Sequence, residues 1–241
     1  AAVRQLDGRR IALSDIDCLS CGTSIADQIM PNHASMVHGE LGLGPIEAVA
    51  NAGVCASGMA ALKYAYLSVR CGERRNAVAT GSELASAVMQ ARNFNAEYEA
   101  AAAALEARPE IAFEKDFLRW MLSDGAGAAL LQGQPNTEGL SLRIDWIEIF
   151  SYAGEMEACM YAGAVKNRDG SLTGWQQLTA EQRAQQSVMA VKQDVKLLND
   201  NIIPYTVEKP LAQIIDQRQL KAADIDWLVP HYSSQFFRQR L

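Results

Sequence analysis

Ala52-Gly53-Val54-Cys55-Ala56-Ser57-Gly58-Met59-Ala60-Ala61-Leu62 is the stretch whose reading decides the fold. An apolar run with strand character, residues 46–50, leads into it, and a small-residue helical pattern (Ala60, Ala61, Leu62, Ala65, Tyr66, Val69) leaves it. Cys55 therefore falls at a strand-to-helix corner, at or next to the first turn of the helix. Unpaired backbone N–H groups and the positive end of the helix dipole favour a thiolate over a thiol there. Gly53, Ala56, Ser57 and Gly58 are small enough to let another group approach the sulfur. Local chemistry leaves two readings open, a nucleophile and a small buried hydrophobe.

Outward from this corner, strands and helices alternate. Residues 1–6 read as the tail of a helix closed by the turn Asp7-Gly8, and residues 16–20 as a strand ending at the Gly22-Thr23-Ser24 loop. Pro31 is expected to open a helix that Gly42 closes. The Cys55 helix is expected to stop at Gly72, and residues 76–81 to form a short buried strand. An alanine- and glutamate-rich helix follows over residues 93–105, then a short one over 114–121 with Phe117 and Trp120. Residues 125–131 and 140–150 read as two strands joined by a polar turn. Thr179-Ala180-Glu181-Gln182 has the capping-box pattern, so a long helix is expected from there to just before Pro204, with another over 207–216. Residues 226–229 read as a buried strand with Pro230-His231 just past its end. The alternation predicts an α/β chain with largely parallel sheet, in which polar groups at the carboxyl ends of strands are the default site. Cys55 and His231 both fall at such ends.

Composition narrows the function classes. With 241 residues, 49% of them hydrophobic, the chain buries a sizeable core and is not disordered. No apolar stretch is long enough to span a bilayer, and no charged-then-apolar leader opens the sequence. The net charge of −6, with no basic block, argues against nucleic acid or an anionic membrane as the main partner. Five cysteines, an odd number, read as thiols of a reducing cytoplasm.

Three segments in order, Gly53-Val54-Cys55-Ala56-Ser57-Gly58, Ser123-Asp124-Gly125-Ala126-Gly127-Ala128-Ala129-Leu130-Leu131 and Asp226-Trp227-Leu228-Val229-Pro230-His231, carry a resemblance. The chain resembles the β-ketoacyl-acyl-carrier-protein synthase III branch of the thiolase-like superfamily of condensing enzymes. That resemblance implies a five-layered α-β-α-β-α fold built from two similar halves, residues 1–135 with Cys55 and residues 136–241 with His231. It implies that Cys55 takes an acyl group from a thioester and that His231 Nε2–H stabilises the enolate formed when a malonyl group loses carbon dioxide. The Cys55 backbone N–H is expected to serve the acyl carbonyl. Small residues at Asp124-Gly125-Ala126-Gly127 are expected to let a strand pass close behind the site. The dinucleotide-binding reading of that segment fails, because the third glycine is absent.

Met30, before Pro31, matches a bulky family residue that lines the partner's acyl tunnel across a homodimer; an ordinary core methionine is the other reading. Ser234 and Arg238 are candidates for contacting substrate, Arg238 through a coenzyme A phosphate or an acidic acyl carrier protein; a solvated helix face is the plainer reading of the arginine. No cofactor is implied beyond coenzyme A or acyl-carrier thioesters as substrates. Cys18-Leu19-Ser20-Cys21 has metal or redox spacing, but it lies in an expected buried strand with no second pair. His33 and His38 lack the i, i+4 spacing of a zinc helix and read as a partly exposed helix face, while Gly42-Leu43-Gly44-Pro45 reads as a turn.

Two departures from the family stand out. Tyr232-Ser233-Ser234 follows the histidine where Gln-Ala-Asn is typical, which points to a divergent branch such as one in secondary metabolism. No asparagine follows Asn201, and the sequence stops ten residues past His231, so the family's third catalytic residue is expected beyond it, in a longer polypeptide. The expected function is a Claisen condensation joining an acyl group on Cys55 to a malonyl or β-ketoacyl unit on acyl carrier protein, in fatty-acid or polyketide-type biosynthesis. The alternatives are an acyltransferase of the same fold without decarboxylation and a non-catalytic dimer partner.

Overall fold

The computed structural model describes residues 1–6, 11–107, 118, 121–231 and 235–238. The expected turn at Asp7-Gly8, most of the expected helix over 114–121, and Ser234 lie outside the described residues. The chain forms two compact units, one of Ala1–Ala85 and Asp124–Ile149, the other of Ser86–Ser123 and Phe150–Leu241.

The first unit is built on a four-stranded sheet in the order β2-β1-β3-β4, from β1 Cys18–Gly22, β2 Glu47–Asn51, β3 Asn76–Glu83 and β4 Gly125–Gln132. The first three strands are parallel and β4 runs antiparallel to β3, so this sheet is largely parallel as expected, whereas the two-stranded sheets of the second unit, Met160–Tyr161 with Lys192–Gln193 and Ala164–Lys166 with Leu172–Gly174, are antiparallel. All five residues of β1 are buried, because it lies between two strands and is covered on both faces. Period-two alternation sorts side chains into two cores. Leu19, Cys21 and Val78 join Val3, Ile16 and Ala34 on one face, with Val37 and Leu41 of helix α1 (His33–Leu41) packed against them. Cys18, Ala77 and Ala79 join Ala65 and Leu131 on the other, with Leu62 and Val69 of helix α2 (Ser57–Arg70). Alanine against alanine at that second contact lets α2 lie close to the sheet.

Helix α1 begins two residues later than Pro31 suggests. Asn32 is its N-cap, the side chain accepting from the Ser35 N–H at 2.9 Å, and Gly42 closes it in the left-handed conformation at φ 67°. Its histidines are partly exposed, as expected, and both are hydrogen-bonded: His33 Nε2 lies 3.1 Å from Ser82 Oγ and His38 Nε2 lies 2.9 Å from the Gly44 carbonyl.

Residues 140–150 are not the expected strand. They form an irregular run held by α2 side chains: Tyr66 Oη donates to the Asp145 carbonyl at 2.9 Å and Ile144 packs on the Ala65 core. These side-chain contacts take the place of a ladder.

In the second unit the helix Asn95–Ala107 matches its expectation. The Thr179–Gln182 capping box forms as read, with Gln182 N–H donating to Thr179 Oγ1 at 3.2 Å and Thr179 N–H to Gln182 Oε1 at 2.9 Å. The helix it opens, Ala180–Gln185, is short and not the long one expected. Ser187 turns to φ 43°, and Val188, Ala190 and Val191 are buried, with the Val188 carbonyl accepting from Gly163 N–H at 2.8 Å. Burying that apolar run against a neighbouring segment outweighs continuing the helix into solvent. A separate helix, Val195–Ile203, starts at the Asp194 N-cap. Pro204 does not end the helical path, because a π-helical segment, Pro204–Glu208, absorbs its missing N–H and leads into Lys209–Arg218.

The strand expected over 226–229 is also absent. Trp227, Leu228 and Val229 are 86%, 74% and 88% exposed in irregular backbone, and among the described residues no strand pairs with them. An extended segment without a ladder partner leaves its backbone groups to water.

Candidate active site

Because β1, β2 and β3 are parallel, their carboxyl ends meet at one edge of the first unit, where Gly22-Thr23-Ser24, Asn51 and Ser82-Glu83 stand together. Asn51 Nδ2 donates to Ser20 Oγ at 3.0 Å, and Thr23 N–H donates to the Asn51 carbonyl at 3.2 Å. From the end of β2 the chain passes through Gly53 at φ 143° and Val54 at φ 46° into a 3-10 turn, Val54–Ala56, which feeds directly into α2. Cys55 is the middle residue of that turn and is exposed. The strand-to-helix corner read from the sequence is therefore where the cysteine stands.

Three glycines make the corner tight. A Cβ on Gly22 would lie 2.3 Å from the Ser57 carbonyl oxygen and 2.8 Å from Gly58 N, both backbone atoms of the first turn of α2. A Cβ on Gly81 would stand 3.3 Å from the Gly58 Cα. The start of α2 thus rests on the bare backbone of β1 and β3. The glycines of β4 have no such role, contrary to the expectation for Gly125 and Gly127: a Cβ on either meets nothing within 4 Å among the described residues.

A polar clamp closes the other side. The Glu83 carboxylate accepts from Ser24 N–H at 2.8 Å, Ile25 N–H at 3.1 Å and Thr23 Oγ1 at 3.2 Å, while Ser24 Oγ donates to the Val54 carbonyl at 2.8 Å. These residues were missed in the sequence reading. Their signal was available as paired polar residues, Thr23-Ser24 and Ser82-Glu83, at the carboxyl ends of two parallel strands.

The shift at the Cys55 thiol runs in the direction opposite to the expected lowering. Desolvation pushes the thiol up and the neighbouring Glu83 carboxylate adds to it, against a backbone hydrogen bond that lowers it. Cys55 is exposed to solvent, yet enough protein surrounds its sulfur for desolvation to be the largest effect.

Met30 belongs to the same unit, on the loop before α1, 81% exposed beside a cis Met30–Pro31 bond, so the core-methionine reading fails. His231 and Arg238 belong to the other unit. His231 is exposed in irregular backbone, not at the end of a buried strand, and Arg238 is exposed at the end of the short helix Gln235–Arg238. The structure therefore brings Cys55 together with Ser24 and Glu83, residues of its own unit. Cys18 and Cys21 are buried in different cores on opposite faces of β1, which removes them as a shared metal or redox pair.

Residues 1–114 match the family described as thiolase, N-terminal domain. Over 99% of its length the chain superposes on AbyA1, a tetronic acid condensing enzyme, with a TM-score of 0.66 at 17% identity, covering 63% of that protein. The chain has the thiolase fold. OleA from Xanthomonas campestris, solved with bound lauric acid and lauroyl-CoA, shares this fold at a TM-score of 0.61 and 18% identity, with 99% of this chain and 61% of OleA covered. In sequence the chain is similar to the β-ketoacyl-acyl-carrier-protein synthase III of Laribacter hongkongensis, 25% identical over 240 residues, and to that of Ruegeria pomeroyi, 26% identical over 243. Each alignment takes in 97% of this chain and 60% of the relative, so the chain spans about three-fifths of the length of the curated relatives it matches.

Proposed function

We propose that the intact protein containing this chain is a condensing enzyme of the β-ketoacyl-acyl-carrier-protein synthase III type, with Cys55 as acyl carrier and His231 as enolate stabiliser. The observation that carries the proposal is Cys55 itself, exposed in the 3-10 turn that follows the positive-φ residue Val54, at the carboxyl ends of three parallel strands. The synthase III names of the sequence relatives and the lauroyl-CoA bound to OleA support acyl thioesters as the substrate class.

In the first step Cys55 Sγ forms a bond to the thioester carbonyl carbon. The donor's C–S bond breaks, and its thiol leaves with the proton that Cys55 has lost. The Cys55 backbone N–H is assigned to the carbonyl oxygen. In the second step a malonyl unit on acyl carrier protein loses carbon dioxide, and the electron pair of the broken C–C bond becomes an enolate whose oxygen His231 Nε2–H stabilises. The enolate carbon attacks the acyl carbonyl, and Cys55 sulfur departs and regains a proton. Met30 is assigned to the acyl tunnel of a homodimer partner, and Ser234 and Arg238 to contacts with the thioester's carrier. The pathway served is fatty-acid or polyketide-type biosynthesis.

The test is the mass added to Cys55 after the intact protein is incubated with a panel of acyl-coenzyme A and acyl-carrier thioesters. The proposal expects one acyl group, located on Cys55 by peptide mapping and absent in Cys55→Ala. Label on another residue, or none from any thioester, contradicts it.

A further inference from the structure

Val54 is a β-branched residue at φ 46°, a conformation that such side chains avoid because Cβ crowds the backbone. Residues held there persist only where their surroundings over-determine them, and they gather at sites that use the geometry. Here the surroundings are identifiable. Ser24 Oγ donates to the Val54 carbonyl at 2.8 Å, across a sequence distance of thirty residues. Ser24 is in turn fixed by its own N–H on Glu83 Oε2 at 2.8 Å, with Ile25 N–H and Thr23 Oγ1 filling Glu83 Oε1 at 3.1 and 3.2 Å. The carboxylate of β3 thus receives three donors from the loop after β1, and that loop returns one donor to the residue immediately before Cys55.

We infer that Ser24 and Glu83 are positioning residues for acyl transfer: they hold Val54 in its left-handed turn and so fix where the Cys55 sulfur and backbone N–H stand. This rests on the reading of Cys55 as the acylated nucleophile. The physical argument is one of alternatives. Without the Ser24 hydroxyl the Val54 peptide relaxes toward negative φ, and the following residue is the first to move. The carboxylate suits this post because all three of its partners are donors. An amide at the same place would present its own N–H to one of them.

The experiment compares single-turnover acylation by an acyl-coenzyme A in the intact protein for wild type, Ser24→Ala, Ser24→Thr, Val54→Gly and the double variant Ser24→Ala/Val54→Gly. Ser24 is exposed, so its truncation leaves the core intact. Ser24→Ala is expected to slow acylation at saturating thioester about tenfold, within the roughly 10²-fold that a small misplacement of reacting atoms costs. Ser24→Thr, which keeps the hydroxyl, is expected to stay within about twofold of wild type on the same scale. Glycine adopts φ 46° without a Cβ clash, so Val54→Gly is expected to restore most of the rate lost in Ser24→Ala, a rescue that general destabilisation does not produce. Glu83→Gln, compared with wild type at a pH where the Cys55 thiol of both is ionised, is expected to slow along with Ser24→Ala. Equal acylation rates in wild type and Ser24→Ala, or no rescue by Val54→Gly, overturn the inference. Failure of wild type itself to acylate overturns instead the assignment of Cys55, which keeps the two outcomes apart.

Discussion

Cys55 is where chemistry and local physics pull in different directions. The sequence showed the corner and its small residues but implied a standing thiolate, because it counts the helix start and neither the desolvation of the sulfur nor the carboxylate that another strand brings near. Glu83 lies 28 positions away in sequence, so its charge at Cys55 becomes visible only once β3 pairs with β1. The pH dependence follows from the sign. A raised thiol pKa means less thiolate at neutral pH than an ordinary cysteine has, and more as pH climbs through the raised value. Alkylation of Cys55 by iodoacetamide, followed against pH, is expected to rise through a midpoint above the ordinary thiol value. Glu83→Gln is expected to move that midpoint down. A plateau already reached near pH 7 contradicts both expectations. Met30 shows the same limit of sequence reading, since its residue type left a place in a partner's tunnel and an ordinary core position equally open.

Among the elements, the approach of α2 to β1 and β3 carries the most consequence. Gly22→Ala drives a Cβ into the backbone of Ser57 and Gly58, so the helix start must shift; a loss of about 1–3 kcal/mol in urea-unfolding stability is expected, with slower Cys55 acylation. Gly127→Ala meets nothing and is expected to stay within about 0.5 kcal/mol. Equal losses from the two would show that the packing described is not what matters. Strand β1 makes a second prediction. The buried Cys18 thiol is pushed up to about 11, first by desolvation and then by Glu47. Its contribution to stability is complete below the unfolded-state thiol pKa near 9 and is lost as pH rises toward about 11. Cys18→Ala is expected to flatten the fall in unfolding free energy over that window; an unchanged slope contradicts it. The strands of this unit were legible because each has its own alternation or apolar run. Residues 140–150 and 226–229 carry the same local pattern without becoming strands, since a ladder needs a partner and periodicity does not report one. The buried run after Gln186 likewise has helical composition, yet its burial decides its path.

At the scale of the whole molecule, the order of the three family-like segments was legible, and so was the class of fold. The two compact units were not. The chain leaves the first unit after Ala85 and returns at Asp124, and no local pattern says that separated segments share a core. A homodimer is expected of the intact protein, and light scattering at micromolar concentration checks it; an active monomer contradicts the assignment of Met30 to a partner's tunnel. The central claim, that Cys55 carries the acyl group and His231 acts only on the enolate, concerns residues of different units. It is tested most directly by single-turnover acylation read by mass spectrometry, paired with carbon dioxide release from malonyl-carrier, in wild type, Cys55→Ala and His231→Ala. The account predicts no acyl-enzyme in Cys55→Ala, and undiminished acylation in His231→Ala with condensation reduced about 10²–10³-fold, the cost of losing one oxyanion donor. If His231→Ala blocks acylation as fully as Cys55→Ala does, the histidine is the base that takes the thiol proton and the division of roles is contradicted.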